Sequence, residues 1–176
     1  MKKILSLVLS LTVISAVCAG VLAYVNGLTK GPIEKIQAEK IVYAARDVLP
    51  AETKGVAVAK FHGDEEYYVG TNATGEVVGY AVKGADPNGY GGDVVLMVGL
   101  AADKSTVIRY KTLEAKETPG LGMKLNTPEF SSQFQGKNAF GLKVRKDGGE
   151  VDAITSATIT SRAVCGAIAA AAAKLK

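Results

Sequence analysis

Residues 4–25, ILSLVLSLTVISAVCAGVLAYV, form a run of 22 residues without a charge, directly after Lys2 and Lys3. An α-helix needs about 20 apolar residues to cross the hydrocarbon core of a bilayer, so this run is long enough to span. A secretory signal peptide has a shorter apolar core that ends at a small-residue cleavage site. Val17-Cys18-Ala19 is a poor version of such a site, and the apolar run continues past it through Val21, Leu22, Tyr24 and Val25. Tyr24 stands where an interfacial aromatic belongs, and the two lysines favour a cytoplasmic start. The expectation is an uncleaved anchor over residues 1–25, with residues 26–176 on the outer face. A cleaved, secreted form is the alternative. Bulky Val17 argues against Cys18 as a lipoprotein cysteine and for a small apolar residue in a membrane helix.

This segment distorts the whole-chain averages. The 176 residues carry 21 Lys plus Arg against 17 Asp plus Glu, a formal net charge of +4, and 48% are hydrophobic. Without residues 1–25, 19 basic and all 17 acidic residues remain, so the remaining 151 residues carry only +2. Such a part has no charge argument for an anionic partner. The seven tyrosines follow no regular stacking pattern, which excludes a dedicated nucleic-acid binder. Cys18 and Cys165 are too few for a disulfide framework or a four-ligand zinc site. His62 is the single histidine, which rules out a multi-His metal cluster and weakens any Ser-His-Asp proposal. The length after the anchor is one domain's worth.

Residues 26–31 have the composition of a polar connector, and Pro32 suits the first turn of a helix. Ile33, Ile36, Ile41, Val42, Ala45 and Val48 recur at helical spacing before Pro50. Connector and amphipathic helix together occupy 26–54. From Gly55 the pattern changes to strands: Val56, Val58 and Lys60-Phe61, then Tyr67-Tyr68-Val69, 76–83, 93–102 and 106–112. Asn72-Ala73-Thr74-Gly75 and residues 102–105 are the expected turns, and such short turns imply antiparallel pairing. Residues 84–92 (GADPNGYGG) and 118–122 (TPGLG) are expected as glycine-rich loops, and 128–133 as a short helix. Residues 142–145 and 151–154 are expected as hairpin arms around Asp147-Gly148-Gly149. Helical spacing returns with Ile159, Ala163, Val164, Ala167, Ile168 and Ala171 on one face, and Lys174 and Lys176 near the negative C-terminal end. The fold class is α+β: a single N-terminal transmembrane helix, then an antiparallel-sheet domain with flanking helices over 55–176.

Four hydroxyls, on Thr155, Ser156, Thr158 and Thr160, lie between a strand and this last helix. A helix N-terminus offers free backbone N–H groups and favours phosphate. Simple capping needs only one Ser or Thr. Both accounts stand on the residues alone. Elsewhere the ordinary reading holds. His62 is in an exposed loop, Cys165 is a buried small residue, Asp64, Glu65 and Glu66 form a solvated turn, and Pro87-Asn88 is loop punctuation.

Asp152-Ala153-Ile154-Thr155-Ser156-Ala157-Thr158 resembles the flavinylation motif of the FMN-binding domain family: Asp, two variable residues, Ser or Thr, Gly or Ser, Ala, Thr. The commoner form has Ser-Gly where this chain has Thr155-Ser156. Gly89-Tyr90-Gly91-Gly92 resembles the family's Gly-Tyr-Gly-Gly loop, and Lys116-Glu117-Thr118-Pro119-Gly120-Leu121-Gly122 its Glu-Thr-Pro-Gly-Leu-Gly loop. The family's usual His two residues before the Glu is Ala115 here, so no role of that His carries over. The order of motifs, the anchor and the length are similar to the G-type branch of the Rnf (Rsx) electron-transport complexes. That branch is related to the C-type component of Na+-translocating NADH:quinone reductases.

The resemblance implies FMN attached covalently by a phosphoester to Thr158. It implies a partner flavin transferase, Mg2+-dependent, that takes FMN from FAD and releases AMP, with Asp152 in its recognition element. The implied cofactor site comprises Tyr90, Gly91, Gly92, Glu117, Thr118, Gly120, Leu121, Gly122, Thr155, Ser156, Ala157 and Thr158, with no metal. Glu117 and Thr118 would hydrogen-bond the isoalloxazine edge, and Arg162 would face the phosphodiester. The implied role is an electron-carrier subunit, not an enzyme on its own. Its partners would be the other membrane subunits of an Rnf-type complex coupling ferredoxin and NAD electron transfer to Na+ or H+ movement. The rival expectation is a membrane-anchored scaffold or ligand-binding domain without covalent flavin, whose Thr158 caps a helix.

Overall fold

A computed structural model of the chain describes residues 2–61 and 65–176, with the side chain of Lys2 left aside. His62 and Asp64, expected in an exposed loop and a solvated turn, lie outside the described residues. The chain divides into two compact units, Met1–Lys40 and Ile41–Lys176.

Helix α1 (Lys2–Val48) runs through the first unit and into the second. Among the described residues it holds the one helix long and apolar enough to cross a membrane, and no part of its apolar stretch is buried within the protein. Ser10 and Thr12 donate their hydroxyls to the carbonyls of Leu7 and Val8, which hides their polarity along the helix. Residues 26–31 are helical, not a connector, and Pro32 lies inside the helix instead of at its first turn. Proline in a helix interior costs about 3 kcal/mol through one lost hydrogen bond and a steric clash. The runs on either side each exceed the roughly 12–15 residues a helix needs, so the helix persists through it. Thr29 donates to the carbonyls of Val25 and Asn26, so its hydroxyl is spent within the helix.

In the second unit, Ala44, Ala45, Val48 and Leu49 at the end of α1 form a core cluster with Tyr68, Ala81 and Met97. Of the expected apolar face, Ala45 and Val48 are buried and Ile41 packs alongside, whereas Val42 points outward. Ile33 and Ile36, in the first unit, are exposed.

The five strands are β1 (Gly55–Lys60), β2 (Glu66–Thr71), β3 (Val77–Gly89), β4 (Gly92–Ala101) and β5 (Val107–Ala115). They form one antiparallel meander in the order β1-β2-β3-β4-β5. Successive side chains of a strand point to opposite faces. On one face Ala81 and Met97 meet the end of α1. On the other, Val82, Val94, Leu96, Val98 and Leu100 join the larger core with Leu125, Phe134 and Ile168. Both faces of β4 are covered, which is why its sequence is almost continuously apolar.

Helix α3 (Thr158–Ala173) packs on β3 and β4. Its alanines allow a close approach, and Gly84 completes it: a Cβ there would collide with the Ala167 carbonyl and lie 2.8 Å from the Ala171 Cβ. Residues 84–92, expected as a loop, are therefore strand through Gly89, and only Tyr90 and Gly91 separate β3 from β4. Of their glycines only Gly84 lies under the helix; Gly89 is crowded by Gly92, Glu117 and Val94, and Gly91 by the Lys116 carbonyl. Pro87 and Asn88 sit where the register shifts between Asp86 and Gly89, a place where a strand tolerates proline. Asn88 donates its N–H and its side-chain amide to Asp86 Oδ1 at 2.8 and 2.9 Å.

Residues 118–122 are the expected loop, and a 3-10 turn (Gly122–Asn126) follows. The short helix α2 (Pro128–Ser131) continues as a 3-10 turn through Phe134. The expected hairpin at 142–154 does not form. Asp147 and Gly149 both donate to the Val144 carbonyl, which coils the chain so that Val151 meets Val144 in a single parallel bridge. Both valines are in the core. On α3, Ala163, Val164, Ala167, Ile168 and Ala171 are buried as expected, whereas Ile159 is exposed. Glu65 pairs with Lys174 at 2.6 Å, and Glu66 opens β2. Burial pushes the Cys165 thiol up to about 11, so it is an inert core residue at neutral pH.

Candidate functional site

One turn and one loop face the start of α3. The turn at Tyr90 joins β3 to β4, and the loop of residues 118–122 leaves the end of β5. Between them is an open cleft of about 450 Å³ lined by Tyr90, Glu117, Thr118, Leu121, Gly122 and residues 156–160.

Glu117 ties the three walls together. It is buried, its Oε1 accepts the Tyr90 N–H at 2.9 Å, and its Oε2 accepts the Thr160 hydroxyl at 2.8 Å. Gly122 has to be glycine, because a Cβ there would lie 2.5 Å from Glu117 Oε2 and 2.9 Å from Thr160 Oγ1.

The wall at 154–157 is a tight turn fixed from beneath by buried Ser161. Ser161 Oγ accepts the Ile154 N–H and donates to the Ala157 carbonyl, both at 2.9 Å. Ala157 N–H closes the turn on the Ile154 carbonyl at 2.9 Å. Ser156 takes φ 62° in this turn. That left-handed conformation suits glycine and costs an L-residue about 1–2 kcal/mol. The backbone thus explains why glycine is the commoner residue at this position of the motif.

The N-cap of α3 is Ala157, and no side chain caps the helix. The capping account of the four hydroxyls is not realised. Thr155 and Ser156 are exposed, Thr158 is half-buried on the cleft, and Thr160 is bound to Glu117. The uncapped N-terminus opens beside Thr158, with the partial positive charge of a 16-residue helix behind it. Leu121, Ile159 and Tyr90 add the larger apolar residues of the lining.

The structure brings together eight of the expected site residues on this cleft: Tyr90, Glu117, Thr118, Leu121, Gly122, Ser156, Ala157 and Thr158. Gly91, Gly92 and Gly120 belong to the wall-forming segments without lining the cleft. Thr155 and Asp152 face a smaller neighbouring cleft of about 190 Å³ with Lys124 and Gln133. Asp152 pairs with Arg145 through its side chain, and its N–H donates to Gln133 Oε1 at 2.8 Å. Arg162 does not face the cleft. It makes a two-pronged pair with Asp147, 2.7 Å on each prong, and holds that carboxyl below the usual carboxylate range. Ile159 lines the cleft although the sequence did not single it out, and Thr160, one of the four hydroxyls, lines it outside the family motif. Its position in the first turn of the helix after Thr158 was the available signal for Ile159.

The FMN-binding domain family matches residues 89–173, a stretch that holds every residue of the cleft. The chain is 35% identical to the G component of the ion-translocating oxidoreductase complex of Methanosarcina acetivorans, over 95% of its own length and 92% of that protein. It is 37% identical to the G component of the Na+-translocating ferredoxin:NAD+ oxidoreductase complex of Acetobacterium woodii, over 93% of this chain and 87% of that one. Among solved structures, the C component of the Na+-translocating NADH-quinone reductase from Parabacteroides distasonis superposes with a TM-score of 0.52 at 25% identity, covering 70% of this chain and 77% of that one. The chain belongs to the family of G components of ion-translocating oxidoreductase complexes.

Proposed function

We propose that this chain is the electron-carrier subunit of a membrane-bound, Rnf-type ion-translocating oxidoreductase complex, and that it carries FMN as a phosphoester on Thr158. The observation that carries this reading is the uncapped N-terminus of α3 opening beside Thr158 in a cleft of about 450 Å³. That volume falls within the roughly 300–1,000 Å³ of small-molecule sites. The residues fit the group: helix N–H groups and Thr158 for a phosphate, and Tyr90, Leu121 and Ile159 for a flat ring. When bound, FMN supplies reversible electron acceptance, and the protein supplies position and electrostatics. Ser161 fixes the turn that presents Thr158, Glu117 holds the walls at a set spacing, and Thr118 offers a hydrogen-bonding edge at the mouth.

A threonine hydroxyl is a weak nucleophile and needs an activating enzyme. A flavin transferase is the partner in this reading. The Thr158 oxygen takes the FMN phosphoryl of FAD and AMP leaves, with Asp152 in the exposed segment that the transferase recognises. The apolar part of α1 anchors the chain in the membrane, and Lys2 and Lys3 orient the domain outward. The other membrane subunits supply and remove the electrons. A covalent tether suits a location where lost FMN is not readily replaced.

The test is the intact mass of the chain produced together with the transferase. The expected increase is one FMN less one water, mapped to the peptide that holds Thr158. An unmodified mass, or modification elsewhere, rejects the reading.

A further inference from the structure

Glu117 is the only charged side chain lining the cleft among the described residues. It is 7% exposed, and both of its oxygens accept hydrogen bonds. Both oxygens serve as acceptors and neither is seen to donate. Its donors, the Tyr90 N–H and the Thr160 hydroxyl, are neutral, so they spread the charge without cancelling it. Backbone holds it on two sides: a Cβ on Gly89 would lie 2.8 Å from Oε1, and one on Gly122 would lie 2.5 Å from Oε2. A charge fixed in this way, in a wall shielded from water, acts more strongly on its surroundings than the same charge on the surface.

We infer that Glu117 sets the reduction potential of the redox group held in this cleft, through its charge and not through contact alone. The inference rests on the reading that FMN occupies the cleft. Two-electron reduction takes two electrons from a reductant and one proton from solvent, and it leaves the group one unit more negative. A fixed carboxylate opposes that added charge and so lowers the potential. Leu121 and Ile159 provide no countercharge. The positive end of α3 lies at Thr158, where the phosphate is held, and the charge of a phosphodiester does not change on reduction. The net effect is a carrier that gives up its electrons more readily than the same cleft without the carboxylate.

Two substitutions separate the charge from the clasp. Glu117→Gln keeps the shape and loses the charge; Glu117→Asp keeps the charge and shortens the reach. The full chain is made with the transferase, FMN per chain is counted by mass, and the midpoint is measured by dithionite titration at the flavin absorbance. Glu117→Gln is expected to raise the midpoint by the equivalent of about tenfold in the oxidised-to-reduced equilibrium, ~30 mV for a two-electron couple. Glu117→Asp is expected to stay near the unsubstituted chain. A purely structural role predicts the reverse order. An unchanged midpoint in flavin-loaded Glu117→Gln overturns the inference. A wild-type chain that takes up no flavin rejects the FMN reading itself, and the mass shows this before any titration. If Glu117→Gln does not fold, Thr160→Val decides: stripping the hydroxyl that shares the charge should lower the midpoint, and an unchanged or raised value overturns the inference.

Discussion

The Thr160 hydroxyl reaches Glu117 Oε2 at 2.8 Å across 43 residues of chain, inside the wall of the cleft. This one bond joins the start of α3 to the loop after β5, and the Tyr90 N–H on the other oxygen brings in the turn between β3 and β4. Hydrogen bonds to a charged group contribute about 1.5–3 kcal/mol each, and orphaned partners add a desolvation cost. Glu117→Ala should therefore lower unfolding stability by about 2–4 kcal/mol, read from urea denaturation of the detergent-solubilised chain. Glu117→Gln, which can still pair with both groups, should lose much less. Equal losses in the two variants would contradict this.

Thr158→Ala should abolish covalent flavin and leave the fold intact, because the Thr158 side chain makes no hydrogen bond on which the turn depends; Ser161 does that work. The check is in-gel fluorescence after denaturing electrophoresis, with circular dichroism as the fold control. A fluorescent band in Thr158→Ala would sink the assignment of the attachment point.

Ser156→Gly should stabilise the domain. The residue sits at φ 62°, and relief of the left-handed strain, offset by glycine's greater chain entropy, leaves about 0.5–1 kcal/mol. Ser156→Val should cost more than that in the opposite direction, since a β-branched side chain is least tolerated there. Thermal unfolding of the two variants checks the order.

Gly84→Ala tests the packing of α3 on β3. The added methyl meets the Ala167 carbonyl, which belongs to helix backbone and has little freedom to shift. Overpacking of this kind costs about 1–3 kcal/mol, so the urea midpoint should fall. A midpoint equal to that of the unsubstituted chain would mean that α3 rides farther from the sheet.

Cys165 gives a pH-dependent expectation. Desolvation raises its thiol from 9.0 to about 11 in the folded chain. The folded state thus holds its proton more tightly than the unfolded state. The stability linked to this proton is fully present below pH 9 and is lost as pH rises through about 11. Iodoacetamide at pH 8 should label Cys165 only on unfolding, as read from peptide masses. Rapid labelling of the native chain would show that the thiol is not buried.

The strand pattern, the turns at Asn72–Gly75 and 102–105 and the buried face of α3 were legible, because each rests on local periodicity or turn chemistry. The motifs at 89–92, 117–122 and 152–158 could be tied to a flavin only through family resemblance. That Tyr90, Glu117 and residues 156–158 meet in one cleft while Asp152 and Thr155 face another is a tertiary fact. The misplaced elements share a cause. Glycines at 84–92 suggested a loop, but Gly84 is there to admit a helix that the local sequence does not mention. Arg162 is one turn beyond Thr158, yet Asp147 captures it from a 3-10 turn 15 residues away. Pro32 and its glycines looked like a boundary, and the helix forms through them because both flanks are long enough to hold it.

The sheet is a simple meander in which every strand pairs with its neighbour in sequence. Such hairpins close over short stretches of chain and form early and fast. The cleft is different: its walls come from 90, 117–122 and 156–160, and it exists only once α3 has docked on β3 and β4. Topology therefore favours closing the cleft late in folding. The expected order is hairpins first and helix docking last, and docking is the step that gives Thr158 a helix terminus on the finished cleft. If Thr158 is modified as proposed, an enzyme that requires this geometry would modify only chains that have finished folding, and the attached cofactor would be a record of that completion.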